Sequence, residues 1–76
     1  MTEFDRHLVA GLYADDLALM RRAAMLIEAK WPWEEALEQA ARDLQCGPAD
    51  RAEAAMRRIE RRNGTVSADV VRRLAA

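Results

Sequence analysis

Apolar positions recur along this chain with a helical period, and nowhere with the strict alternation of a half-buried strand. In the first segment Phe4, Leu8 and Leu12 follow one another at intervals of four and share one face. Thr2 stands where it can cap that helix, and Gly11 marks where it ends or bends, near Gly11–Ala14. The next segment, 15–30, is the strongest helix. Asp15 and Asp16 suit the positive N-terminal end, and Lys30 lies in the last turn. Leu17, Met20, Ala24, Ile27 and Trp31 form one stripe, and Leu19, Ala23 and Leu26 a second beside it. At about 100° per residue the two cover nearly half the circumference. That width predicts a central helix touched from two sides, a second copy of the chain being one candidate neighbour.

Pro32 ends that helix, because it disfavours helical geometry at Trp31 and lacks a backbone donor. It also suits the first turn of a new helix, followed by Glu34 and Glu35. Trp31 closes the stripe before the proline, and Trp33 opens the stripe after it, continued by Leu37, Ala40 and Leu44. Two readings stand for this corner: a wedge that fixes the angle between two helices, or an exposed aromatic patch for a partner. Gly47 and Pro48 end the third helix, 33–44, with Gly47 expected in the left-handed conformation. Asp50, or a residue just before it, can cap a fourth helix, 50–62, with Ala52, Ala55, Met56 and Ile59 buried. Asn63-Gly64 stops it. Val66 and Ser67 have the positions of a hydrophobic staple and a cap for a last short helix carrying Val70, Val71 and Leu74. The expectation is a single all-α domain of four to five short helices over residues 1–76.

Composition narrows the classes. Of the 51% hydrophobic residues, 16 are alanine, so helix propensity is high and core volume modest. A core so small makes self-association, most simply a homodimer, a reasonable expectation. The single Cys46 excludes an intramolecular disulfide and a cysteine-only zinc site. No apolar run approaches a membrane span and the start of the chain is charged, which points to the cytoplasm of a bacterium or of a phage-infected cell. One histidine, His7, and a few hydroxyls at cap and turn positions form no nucleophile–base set, so an enzyme is not expected. The pairs Asp15-Asp16 and Glu34-Glu35 are adjacent, point about 100° apart and do not converge on one ion. No metal or other cofactor is expected.

The net charge of −1 hides a split: residues 1–41 hold 4 basic and 8 acidic residues, residues 42–76 hold 8 basic and 5 acidic. All eight basic residues of the second half are arginines. Such asymmetry marks a polyanion contact, an interaction face or a solvated helix surface. On the fourth helix Arg51, Arg57, Arg58, Arg61 and Arg62 fall in an arc of roughly 140°, away from the apolar face. Arg57–Arg61 and Arg58–Arg62 are like-charge pairs one turn apart, each costing an isolated helix a few tenths of a kcal/mol. A helix that tolerates them is a candidate for contacting phosphate, with Arg72 and Arg73 extending the basic surface.

The segment ALEQAARDLQCGPADRAEAAMRRI resembles the helix-turn-helix of small bacterial and phage DNA-binding regulators. Ala40 and Ala41 are the small residues that let two helices approach. Leu44 and Cys46 frame the turn, and Gln45 stands where that family has glycine. The resemblance implies that the second helix enters the major groove of double-stranded DNA, with Arg51, Arg58 and Arg62 facing it, and that a dimer reads two half-sites. The rival expectation is a protein-interaction module (an adaptor, an antitoxin-like partner or a phage-type inhibitor) binding through Leu17, Met20, Ile27, Trp31 and Trp33.

Overall fold

The structure, a computed structural model, describes residues 3–76. They form five helices and no strand: α1 (Glu3–Ala10), α2 (Ala14–Glu28), α3 (Trp33–Asp43), α4 (Asp50–Asn63) and α5 (Ala68–Leu74). The cap expected at Thr2 lies outside the described residues. None of the described helices is long and apolar enough to cross a membrane.

α2 is the hub, packed against α3, α4 and α5. Much of its two apolar stripes is covered by these neighbours from the same chain. Leu19, Met20, Ala23 and Ala24 are buried, and Leu17, Leu26 and Ile27 pack partly buried at the margins. The second side of contact is therefore internal, supplied by α5 and α4. Seven buried alanines let the helix axes approach, among them Ala23 and Ala24 on α2, Ala36 and Ala40 on α3, and Ala52 and Ala55 on α4. Met20, Met56, Ile59 and Val71 fill the remaining interior and are fully enclosed.

Each helix end has a local cause. α2 stops at Glu28, two residues short of the expected end. Ala29 closes it, Lys30 turns left-handed (φ 77°), and the amides of Lys30 and Trp31 donate to the carbonyls of Ile27 and Leu26. That is a Schellman closure. Pro32 then precedes the new helix as its N-cap, one position earlier than expected, and its carbonyl accepts from the Ala36 amide at 2.9 Å.

α3 closes in the same way, and this corrects the expected role of Gly47. Gln45 takes the left-handed conformation (φ 54°), and the amides of Gln45 and Cys46 donate to the carbonyls of Arg42 and Ala41. Gly47 keeps a negative φ because the chain has already reversed two residues earlier. Ala49 is the N-cap of α4, with Asp50 inside the first turn. Gly64 (φ 80°) ends α4. Ser67 caps α5 by accepting from the Val70 amide, and Val66 and Val71 are both buried, as a staple requires.

Candidate nucleic-acid interface

The residues singled out from the sequence lie on two surfaces, and the fold treats them differently. Of the five candidates for a protein interface, Met20 is wholly enclosed and Trp33 is 6% exposed. Neither can meet a partner while the chain keeps this fold, because α2 and α3 bury them against their own neighbours. Leu17 and Ile27 retain only margins. Trp31, 39% exposed, is the one that still shows a substantial surface. The two tryptophans thus part company, Trp33 turning inward toward α4 and Trp31 staying at the surface. Trp33 enters the core, and its indole N–H donates to a Glu60 carboxylate oxygen at 2.9 Å, which satisfies the one polar atom it carries inward.

The arginines are sorted by what lies beside α4. On its α1 side, Arg51 donates through Nε to Asp16 Oδ2 at 2.8 Å and lies over the Tyr13 ring, 4.9 Å from its centre. Arg62 lies over the Phe4 ring at 4.3 Å. On the α3 side, Arg57 covers the Trp33 ring at 5.1 Å and reaches Glu53 at 3.6 Å. On α5, Arg72 pairs with Glu28 and Asp69, and Arg73 lies 3.7 Å from Asp5. Arg58 and Arg61 point outward between these flanks. Among the described residues neither has an ion pair, a ring contact or a side-chain hydrogen bond.

The charge split of the sequence is therefore largely closed within one chain. Asp5, Asp16 and Glu28 from the acidic half meet Arg73, Arg51 and Arg72 from the basic half. Asp16 is the most constrained of these groups. Only 4% of it is exposed, and its Oδ2 accepts both the Arg51 Nε–H and, at 2.9 Å, the Tyr13 amide. Burial pushes its carboxyl up. The two hydrogen bonds and the nearby guanidinium outweigh that and hold it below the usual carboxylate range. The Arg51 guanidinium is raised in turn, first by that hydrogen bond and then by the charge of Asp16. Arg51 therefore joins the start of α2 to the start of α4. The partnerships of Arg57 with Glu53 and of Arg72 with Asp69 are at helical spacing. The holds on Arg51, Arg62 and Arg73, and that of Glu28 on Arg72, join helices far apart in sequence and leave no periodic signal.

The opposite flank of α4 is acidic. A cleft of about 450 Å³ between α3 and the start of α4 is bordered by Glu34, Glu38, Asp50 and Glu53, with Leu37 and Ala41 among its apolar lining and Arg57 as its one cation. His7 is exposed on α1 and lies 3.7 Å from Glu3. The Cys46 thiol makes a long contact, 3.8 Å, with the Leu44 carbonyl. Among the described residues no cluster of three or more histidine, cysteine or acidic side chains is arranged to hold a metal ion. In comparison with known proteins, no family model, curated protein or solved structure matches the chain.

Proposed function

We propose that the chain is a small DNA-binding regulator whose contact with double-stranded DNA is made by the outer face of α4. The observation that carries this reading is the pair Arg58 and Arg61. Two guanidiniums sit on the solvent face of a helix that already carries like-charge neighbours one turn apart, and neither is neutralised by any of the described residues. Other arginines nearby have found carboxylates or rings. An arrangement that costs helix stability and leaves the cations open is suited to phosphate.

The order of elements supports the same reading. α3, a six-residue connection that reverses through left-handed Gln45, and an α4 whose inner face is apolar and outer face basic follow the order of a helix-turn-helix, with a longer turn than the usual three or four residues. Gln45 occupies the turn position where that family has glycine, and its positive φ gives a reason for the glycine. The protein-interaction reading keeps only Trp31 of its five residues as an exposed side chain.

The test is fluorescence anisotropy of a labelled random-sequence duplex, titrated with the protein at low and then near-physiological salt. Binding should weaken steeply as salt rises. In the variant Arg58→Ala with Arg61→Ala, the log–log salt slope should fall by about 2, one for each phosphate that is no longer neutralised. Equal affinity and slope in the two proteins would remove these arginines from the interface and the reading with them.

A further inference from the structure

We infer that α4 meets duplex DNA through its C-terminal half alone and tracks the phosphate backbone without reading sequence. The inference rests on the DNA-binding reading above and specifies its substrate: duplex of any sequence.

The two halves of α4 carry opposite surroundings. Beside the N-terminal half lies the cleft with Glu34, Glu38, Asp50 and Glu53 on its border and one guanidinium, Arg57, already shared between Glu53 and the Trp33 ring. Four carboxylates against one cation repel a polyanion. The one cation that this half itself carries, Arg51, is tied to Asp16. In a helix-turn-helix it is the N-terminal residues of the second helix that reach base edges. Here the exposed positions of those turns are Asp50, Arg51, Glu53 and Ala54. Two are acids, one is a methyl group and one is a held arginine. A phosphate-lined groove would not admit this end.

The C-terminal half is the reverse. Arg58, Arg61 and Arg62 are exposed on it. Arg62 also borders a small pocket with Arg73 of α5, where Asp5 lies beside Arg73, so the open cations of this half are those of α4 itself. No serine, threonine, asparagine or glutamine occurs on α4 before Asn63. The cations that remain are placed by the helix axis and not by a side-chain network aimed at bases. Contacts of guanidinium to phosphate fix register and orientation and carry no base information directly.

The test compares the full chain on several labelled duplexes of equal length and unrelated sequence, again by anisotropy. Affinities should agree within about threefold, whereas a reader of bases loses about fivefold or more for each mismatched pair. Arg62→Ala should weaken binding by the same factor on every duplex and lower the salt slope by about 1, with helicity unchanged by circular dichroism. A spread of more than about tenfold among the duplexes, or a loss with Arg62→Ala confined to some of them, overturns the inference and leaves DNA binding standing. Absence of binding to every duplex at low salt overturns the underlying reading.

Discussion

The corner at residues 30–33 and the outer face of α4 both carry conspicuous side chains, and the fold uses them in opposite ways. At the corner, Trp33 is drawn into the interior and its N–H is matched to Glu60. On α4, Arg58 and Arg61 are left in solvent with no partner among the described residues. A residue type that stands out in sequence is a functional signal only after the structural demand on it has been met. Trp33 answers such a demand: it fills the interior beside α4, where Glu60 and Arg57 meet its indole. Arg58 and Arg61 answer none that the described residues display.

The contrast can be broken most forcefully at Trp33. Trp33→Ala removes a buried aromatic side chain, strips Arg57 of its ring and leaves Glu60 without its indole donor. Such truncations cost about 3–5 kcal/mol, a large share of what a chain this size has. Urea unfolding followed by circular dichroism should show that loss. A cost below about 1 kcal/mol would mean the corner holds without its wedge. Trp31→Ala is the companion measurement, and it should cost well under half as much because that ring is already partly in solvent.

The next effect belongs to Asp16, which bonds the Tyr13 amide at the start of α2 and Arg51 on α4. Asp16→Ala loses a helix-start bond and a charge-assisted one, together about 2 kcal/mol, since Arg51 can return to water. Its pH dependence has a definite sign. The folded carboxyl titrates below its unfolded value, so the contribution is whole above the ordinary carboxylate pKa of about 3.9 and is lost as pH falls through the lower folded value. The gap between wild type and Asp16→Ala should be constant from neutral pH down to about pH 5 and narrow below about pH 4. A gap that grows on acidification would contradict the assignment.

How much could be read from the chain follows the range of the forces involved. Helix existence, the hub role of 15–30, the stop at Asn63-Gly64 and the cap at Ser67 are set by residues within a few positions of one another, and all were legible. The ends of α2 and α3 were legible to within two residues, but their left-handed closures at Lys30 and Gln45 were not, because both put a side-chain-bearing residue where glycine is the usual signal. The fate of the arginines was half legible. Their arc follows from the helical period, but which are neutralised depends on Asp5, Asp16 and Glu28 arriving from other helices. Gln45→Gly tests the turn directly. Removing a Cβ from a left-handed position should raise stability by about 1 kcal/mol, and the gain should appear at Gln45 and not for Gly47→Ala, whose φ is ordinary.

The smallest expected effect on stability separates the two regions most sharply. Arg58→Ala with Arg61→Ala should change unfolding free energy by no more than about 0.5 kcal/mol. The sign should favour the variant, because each like-charge pair one turn apart, Arg57–Arg61 and Arg58–Arg62, loses a member and alanine is the better helix former. Denaturant midpoints measured beside duplex binding place both consequences on one protein. A variant at least as stable as wild type that no longer binds DNA would show that these two side chains are kept for something outside the fold. A variant destabilised by about 2 kcal/mol would instead mean that they hold the bundle together, and the contrast with Trp33 would vanish.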